Sequence, residues 1–279
     1  GLGDVYKRQI METLGKGGEA EIYRARHKQE GYIVAIKILH AASSRKRDLV
    51  ADALQEPQVE GEIARLLDHP NIIRTFDFGR HKDNYYFVME YFDGISLEQR
   101  LNRRDPLVEQ RVLHIMLQIA EGIDYLHHVG IIHRDICPRN VMVNDQAEVK
   151  ILDFGLAIFK RGRYKRVGEK AGTPSYMSPE QVRGTEVDER SDIYSLGATF
   201  YRILAGVPPY KGGSPVATMQ MHINAPITPP RDINPDIAPE MEEIILKAMK
   251  TDPAERYQSV RDLIADLRNV GIPKKKDAG

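Results

Sequence analysis

Two short stretches contain the polar side chains best suited to chemistry. HRDICPRN, residues 133–140, contains Asp135 and Asn140, and DFG, residues 153–155, begins with Asp153. The amide oxygen of Asn140 and the carboxylate of Asp153 are hard oxygen donors of the kind that binds Mg²⁺. Each stretch alone could also be an ordinary polar turn, so the surrounding motifs have to decide between the two interpretations.

A lysine stands at the end of an apolar strand pattern. Lys37 follows Val-Ala-Ile in VAIK. Lysine is seldom buried without a partner, so this position favours an ion-paired, functional lysine over a surface one. The acids of the next predicted helix are the candidate partners, namely Glu56, Glu60 and Glu62. Each of them could instead lie on a solvated helix face.

A glycine-rich turn precedes this strand. LGKGGEAEIY contains Gly15, Gly17 and Gly18, and Ile22 begins the returning strand. Glycines allow a hairpin tip to lie close to phosphate groups and to offer backbone N–H groups to them. Such hairpins are common, so a nucleotide-binding role and a plain turn both stay open on this motif alone.

The first third of the chain predicts a small sheet. Residues 10–39 contain three short strand patterns separated by glycine-containing turns, and residues 84–91 form a fourth, rich in aromatic and branched residues. Between them, residues 45–67 predict a helix that ends at a His-Pro pair.

The remainder of the chain predicts helices. Apolar residues recur at three- and four-residue steps over 112–126, and residues 191–206 predict an apolar helix with Ser191 as its N-cap. Amphipathic segments follow near 238–249 and 258–268. The expected fold class is α+β, with a small antiparallel-sheet lobe that carries one main helix and a larger, mainly helical lobe.

The composition excludes several classes of protein. The chain has 279 residues, 42% of them hydrophobic, and a formal net charge of zero, which argues against a nucleic-acid binder. Its single cysteine excludes an internal disulfide and a multi-cysteine zinc site. No stretch reaches the roughly 18 consecutive apolar residues of a membrane helix. We therefore expect a cytoplasmic domain, with its oligomeric state open.

The two ends differ in composition from the rest. Residues 1–9, which include DVYKRQ, are expected to be a sequencing-adapter artefact or a leader. Residues 271–279 are expected to be a solvated basic tail. A membrane anchor or further domains outside this sequence stay open.

The order of the motifs gives the candidate residues a common interpretation. GKGGEA, VAIK, HPNI, VMEY, HRDICPRN, DFG, GTPSYMSPE, SDIYSLG and DPAERY follow one another, and residues 10–270 thereby resemble a eukaryotic-type (Hanks-type) serine/threonine protein kinase, expected to be bacterial. The resemblance implies a two-lobed kinase fold with an N-lobe at 10–90, a hinge at 90–96 and a C-lobe at 97–270. Ala20 departs from the family, which usually has a third glycine there.

The resemblance implies transfer of the ATP γ-phosphoryl group to Ser and Thr hydroxyls of protein substrates, with Mg²⁺ or alternatively Mn²⁺. Asp135 would be the catalytic base, and Asn140 and Asp153 would hold the metal. The distance from HPNI selects Glu60 as the partner that orients Lys37 toward the phosphates. The segment GTPSYMSPE disfavours a small-molecule phosphotransferase of similar fold.

The family pattern also implies a set of nucleotide contacts. Met89 would close the back of the adenine pocket, Glu90 and Phe92 would offer backbone groups to adenine, and Ser96 would contact the ribose. The full set is Leu14, Gly15, Lys16, Gly17, Gly18, Ile22, Ala35, Lys37, Met89, Glu90, Phe92, Ser96 and Met142.

Cys137 departs from the serine/threonine branch, which usually carries a lysine there. A thiol cannot supply that positive charge, so we hypothesise that Arg139 substitutes for it, as an arginine does in receptor-type tyrosine kinases. The alternative is an Arg139 that contacts only solvent or a carboxylate. A charge-assisted hydrogen bond contributes roughly 1.5–3 kcal/mol, so losing it would slow the reaction without abolishing it. The competing interpretation of the whole chain is a nucleotide-binding pseudokinase scaffold.

Several residues are implied to support the site. Thr173 would brace Asp135 and the substrate-docking loop, Glu180 would pair with Arg256, and Asp192 would hold the backbone of the catalytic loop.

The activation segment between Gly155 and Thr173 has no Ser or Thr. We hypothesise that the fixed charge of Glu169 partly replaces a phosphate that Arg134 would otherwise bind. A solvated Glu169 is the alternative.

Overall fold

A computed structural model of the protein describes residues 8–17, 20–40, 56–81, 84–159 and 171–270, with the backbone alone over 56–60. Most of the expected leader, the basic tail and the first part of the helix predicted over 45–67 lie outside these residues. The chain divides into two compact units, Gly1–Gly94 with Leu152–Gly155, and Ile95–Ile151 with Leu156–Gly279. We refer to them as the first and second units.

The first unit is built on a five-stranded antiparallel sheet. Its strands are β1 (Arg8–Lys16), β2 (Ala20–His27), β3 (Ile33–Leu39), β4 (Thr75–His81) and β5 (Asn84–Glu90), in the spatial order β1-β2-β3-β5-β4. All four strand patterns predicted within 10–39 and 84–91 are therefore confirmed as strands. One face of the sheet carries a buried cluster of Ala25, Val34, Ile36, Tyr86 and Val88.

Helix α1 (Glu56–Leu66) packs closely against strand β4. Gly61 is buried, and a Cβ added there would come within 2.2 Å of the Phe78 ring. Only glycine allows this approach, because a larger residue would need the helix or the ring to move.

The second unit is mainly helical. Its helices are α2 (Leu97–Asn102), α3 (Pro106–Gln110), α4 (Val112–His128), α5 (Pro179–Arg183), α6 (Glu189–Ala205), α7 (Pro215–Asn224), α8 (Pro230–Ile233), α9 (Pro239–Ala248) and α10 (Val260–Arg268). The apolar stripe predicted over 112–126 lies in α4, where Met116, Ile119, Ile123 and Leu126 are fully buried. The α+β class is confirmed.

Helix α6 begins earlier than predicted. Asp188 is the N-cap, and its side chain accepts a hydrogen bond from the backbone N–H of Arg190. The prediction that Ser191 is the N-cap is wrong. Ser191 is buried inside the first turn and donates to Glu180 Oε1 at 2.6 Å, so tertiary packing uses its hydroxyl. The helix ends at Gly206 in the left-handed conformation, with φ at 74°.

Short strands complete the second unit. β6 (Ile95–Ser96), β8 (Val141–Val143) and β9 (Val149–Ile151) form one small sheet, and β7 (Ile131–Ile132) pairs with β10 (Ile158–Phe159). In the sequence, strand β7 directly precedes the HRDICPRN segment and strand β8 directly follows it. In the described part of the chain, no helix is long and apolar enough to cross a membrane.

Candidate active site

The backbone of HRDICPRN is held by a carboxylate from helix α6. Asp192 is fully buried and accepts hydrogen bonds from the backbone N–H groups of His133 and Arg134, both at 2.8 Å. Its Oδ2 also lies 2.8 Å from His127 Nε2. The predicted role of Asp192 as the holder of this loop is confirmed.

Arg134 adopts a strained conformation within this loop. Its φ is 68°, a left-handed value that costs a non-glycine residue of order 1–3 kcal/mol. Asp192 fixes its N–H, and the side-chain amide of Gln181 donates to its carbonyl at 2.7 Å. Its guanidinium is almost fully buried and donates to the Leu156 carbonyl at 3.4 Å. The loop is therefore fixed on both sides of Arg134.

Asp135 has both carboxylate oxygens engaged. Oδ1 accepts from the backbone N–H of Thr173 at 2.7 Å, and Oδ2 accepts from Asn140 Nδ2 at 2.9 Å. Asn140 Nδ2 also donates to the Asp135 carbonyl at 2.9 Å. These donors fix the orientation of the carboxylate, and the amide oxygen of Asn140 remains the atom suited to a cation.

Thr173 connects Asp135 to Cys137 and Arg139, which come later in the same loop. Its hydroxyl accepts from Arg139 Nη2 at 3.1 Å and donates to Cys137 Sγ at 3.5 Å. Arg139 is exposed. A positive charge thus lies within hydrogen-bonding distance of the Thr173 hydroxyl, although residue 137 supplies none.

Cys137 is a buried thiol. Its side chain is 1% exposed, and burial together with the nearby Asp135 raises its pKa to about 11. The reactive form of cysteine is the thiolate, so Cys137 is protonated and inert at neutral pH.

The residue before Thr173 has to be glycine. Gly172 has φ at 135°, and an added Cβ would lie 3.1 Å from Met177 and 3.4 Å from the Arg134 carbonyl. Glycine therefore lets the GTPSYMSPE segment approach the catalytic loop closely enough for the Thr173 contacts to form.

In the first unit, Lys37 pairs with the aspartate of DFG. Lys37 Nζ lies 3.2 Å from Asp153 Oδ1, which also accepts from the backbone N–H of Gly155 at 3.3 Å. Lys37 is largely buried, with 17% of its side chain exposed, whereas Asp153 is 46% exposed. Asp153 has φ at 64°, a second strained residue among the candidates.

The predicted nucleotide contacts on the sheet share one face. Ile22 is directly paired with Lys37, and Ala35 with Met89. Direct partners in antiparallel strands point to the same side, and residues two apart on a strand do so too. Lys37 and Ala35 are two apart on β3, so all four side chains lie on one face.

The glycine-rich hairpin connects β1 and β2. The backbone N–H of Gly17 donates to the Ala20 carbonyl at 2.9 Å, which closes the turn. Lys16 forms an ion pair of 2.8 Å with Glu21 on the opposite strand. Leu14 and Gly15 lie in the last part of β1, beside these residues.

The backbone around the predicted hinge is already partly bonded. The N–H of Glu90 donates to the Arg74 carbonyl at 2.9 Å, and the Phe92 carbonyl accepts from Gly94 at 3.0 Å. A contact of Glu90 with adenine would have to use its carbonyl, and Phe92 would use its N–H.

Ser96 has a structural role that the sequence analysis missed. Its hydroxyl caps helix α2 by accepting from the backbone N–H of Gln99 at 3.2 Å, and Gln99 completes a capping box. Ser96 is also directly paired with Met142 of β8.

The predicted pair of Glu180 and Arg256 is confirmed. Two hydrogen bonds of 2.7 and 2.8 Å join the guanidinium to the carboxylate, and Ser191 adds a third contact to Glu180. Burial alone would raise the pKa of Glu180, but the bonds from Arg256 outweigh burial and lower it.

Some predicted site residues lie outside the described part of the chain. These are Gly18, the Glu60 side chain and Glu169. The Lys37–Glu60 pair and the role of Glu169 therefore stay predictions. Within the described residues, no group of three or more His, Cys, Asp or Glu side chains could hold a metal ion.

Sequence reasoning missed Gln181 and His127, which fix the catalytic loop through Arg134 and Asp192. The spacing of Ser178 and Gln181 does predict the capping box that begins α5. The bond from Gln181 to the Arg134 carbonyl depends on tertiary packing and has no signal in the local sequence.

Comparison with known proteins agrees with this arrangement. The family model described as "Protein kinase domain" matches residues 8–266. The chain is 36% identical to the serine/threonine-protein kinase PknB of Mycolicibacterium smegmatis, over 99% of this chain and 44% of that protein. It is 39% identical to the probable serine/threonine-protein kinase SCO3848 of Streptomyces coelicolor, over 93% of this chain and 39% of that protein.

A probable serine/threonine-protein kinase of Clostridium perfringens, CPE1738, is 34% identical over 99% of this chain and 39% of its own length. The chain thus spans less than half the length of these curated relatives. The motif order, the α+β fold and the match to the family model lead to one conclusion: this chain belongs to the protein kinase family.

Proposed function

We propose that this domain transfers the γ-phosphoryl group of ATP to serine and threonine hydroxyls of protein substrates. The names of its relatives support this specificity. Asp135 accepts the proton of the attacking hydroxyl, and Lys37 orients the α- and β-phosphates. We place the domain in the cytoplasm, where ATP is available, and leave its substrate proteins open.

The observation that carries this proposal is the set of contacts around Asp135. The N–H of Thr173 and the amide of Asn140 hold its two oxygens at 2.7 and 2.9 Å. A general base has to be held within hydrogen-bonding reach of the proton that it accepts. Because Thr173 belongs to the substrate-docking segment, its bond to Asp135 couples the position of the base to the position of the substrate.

The residues proposed to hold the metal suit a hard cation. Asp153 offers a half-exposed carboxylate, and Asn140 offers its amide oxygen because its nitrogen is bonded to Asp135. Mg²⁺ usually binds through one or two carboxylates together with substrate phosphates, and this donor set fits it better than it fits a soft metal. When bound, the ion would neutralise charge on the phosphate oxygens.

Arg139 is proposed to supply the charge that Cys137 cannot. Its Nη2 contacts the Thr173 hydroxyl at 3.1 Å, next to Asp135. From this position the guanidinium can neutralise developing negative charge at the acceptor oxygen. The pseudokinase alternative rests on Cys137 and Ala20, and the proposed role of Arg139 answers the argument from Cys137.

A transfer assay tests the proposal. We expect the domain to move phosphate from labelled ATP to a generic basic protein, and Asp135→Asn to lower the rate by at least about 100-fold, because general base catalysis contributes 10²–10⁴-fold. Asparagine has the same shape and keeps an acceptor for Thr173. Equal rates for the two proteins, with ATP bound by both, would contradict the assignment of Asp135.

A further inference from the structure

Arg24 links three segments of the first unit. Its Nη1 donates to Glu12 Oε1 at 2.9 Å, and its guanidinium carbon lies 4.7 Å from the centre of the Tyr91 ring. The Tyr91 hydroxyl in turn donates to Asp93 Oδ1 at 3.3 Å. A single side chain of β2 therefore contacts β1 and the segment that follows β5.

The register places Arg24 beside the proposed adenine contacts. Glu12 is directly paired with Arg24, Arg24 with Ala35, and Ala35 with Met89. Direct partners share a face of an antiparallel sheet. Arg24 consequently lies one strand away from Ala35, on the face that carries the proposed nucleotide contacts.

Tyr91, on which Arg24 stacks, is part of the predicted hinge. Tyr91 lies between Glu90 and Phe92, whose backbone groups are the proposed contacts to adenine. A planar guanidinium suits both the aromatic face of Tyr91 and the carboxylate of Glu12, which a lysine could not engage in the same way. Arg24 is two-thirds covered, with 33% of its side chain exposed, so the contact is partly shielded from solvent.

We propose that Arg24 is a positioning residue for ATP: anchored by Glu12 and stacked on Tyr91, it fixes the glycine-rich hairpin relative to the hinge. This inference rests on the proposed function, since it requires that the domain bind a nucleotide.

The physical reason is preorganisation. The hairpin is proposed to bind the phosphates and the hinge to bind the adenine, so both ends of one ligand depend on their relative position. A contact that restricts their motion before binding reduces the entropy lost when the ligand binds. Its removal weakens ATP binding, while the chemical step, which depends on Asp135, is unchanged.

A double-mutant cycle on nucleotide binding tests the role. Binding of a non-hydrolysable ATP analogue with Mg²⁺ is measured by calorimetry for the wild type, Arg24→Ala, Tyr91→Ala and the double variant. We expect each single change to raise Kd about 2- to 30-fold, the range of a cation–π contact. The Kd of the double variant should be no higher than that of the single variant with the larger effect, because both substitutions remove the same contact. Additive losses would overturn the proposal.

Two matched variants serve as controls. Arg26 lies on the same strand and the same face as Arg24 and is exposed. Arg26→Ala removes the same charge and should leave Kd unchanged. Tyr91→Phe keeps the ring on which Arg24 stacks and should bind the analogue more tightly than Tyr91→Ala does. A loss in Arg26→Ala equal to that in Arg24→Ala would indicate a general charge effect and overturn the role of Arg24.

Turnover separates positioning from a loss of structure. At saturating ATP we expect kcat of Arg24→Ala to stay within about two-fold of the wild type, while KM for ATP rises. If the wild type binds ATP and Arg24→Ala binds it equally well, only the positioning role fails. If the wild type binds no ATP, the proposed function fails, and this inference fails with it.

Discussion

At the scale of single residues, Cys137 stands where the family usually carries a lysine, and the proposed function assigns the missing charge to Arg139. Cys137 is turned inward, where it accepts a bond from the Thr173 hydroxyl at 3.5 Å. Arg139, which is exposed, donates to the same hydroxyl at 3.1 Å. The proposed role of Arg139 is to supply the missing positive charge from a different position in the loop, while the buried thiol fills space.

This arrangement predicts unequal effects of two neighbouring substitutions. Arg139→Ala should lower kcat about 10- to 100-fold, because it removes a charge-assisted hydrogen bond of roughly 1.5–3 kcal/mol. Cys137→Ala removes only a small buried group and should change kcat by less than about three-fold. Steady-state kinetics at saturating ATP measure both. Effects of the same size, or a larger effect at Cys137, would contradict the substitution of Arg139 for the lysine.

At the scale of elements, helix α6 fixes the catalytic loop through one buried charge. Burial alone would raise the pKa of Asp192, but the hydrogen bond with His127 and the N–H groups of the loop outweigh it, and the pKa is lowered. The carboxylate is thus ionised in the folded protein and accepts hydrogen bonds from the buried N–H groups of the loop. Removing it would leave at least the N–H groups of His133 and Arg134 without their acceptor.

Asp192→Asn should therefore destabilise the fold in a pH-dependent way. Asparagine keeps only one oxygen acceptor, so at least one of the buried donors that Asp192 binds loses its partner. An unsatisfied buried donor costs about 1–3 kcal/mol, and we expect a loss of this size in the free energy of unfolding at pH 7. A group whose folded pKa is depressed stabilises the fold above its unfolded pKa, about 3.9 for Asp. That stabilisation is lost as the pH falls further, so the difference between wild type and variant should shrink below about pH 4.

Urea unfolding between acid and neutral pH measures this difference. Asp236→Asn is the matched control, because it removes the same charge at an exposed position of the second unit. A difference between Asp192→Asn and wild type that does not change with pH would contradict the role assigned to the charge.

At the scale of the whole molecule, the sequence predicts what depends on local pattern. Four strands of the first sheet and the apolar stripe of α4 follow from residue types and spacing, and the motif order predicts the family. Strand β4 was not predicted. The predicted start of α6 was wrong. Asp188 and Ser191 are both residue types that cap helices well, and only tertiary packing directs Ser191 to Glu180. No local signal indicates that Leu152–Gly155 groups with the first unit.

For the candidate site, too, the sequence predicts the residues better than it predicts their contacts. Residue identity was enough to predict Asp135, Asn140, Lys37 and Asp153 as candidates. The family resemblance also implied the contact of Thr173 with Asp135, which the structure confirms. The inward side chain of Cys137 and the stacking of Arg24 on Tyr91 were not predicted. Such contacts depend on tertiary structure, which single-sequence patterns do not contain.

The most direct test of the central claim is the chemical identity of the product. Purified domain is incubated with ATP, Mg²⁺ and a generic basic protein, and the phosphorylated residues are identified by mass spectrometry, with Asp135→Asn in parallel. Phosphoserine and phosphothreonine in the wild-type reaction, strongly reduced in the variant, are the predicted result. Nucleotide binding without any transferred phosphate, or phosphate found on tyrosine alone, would contradict the account.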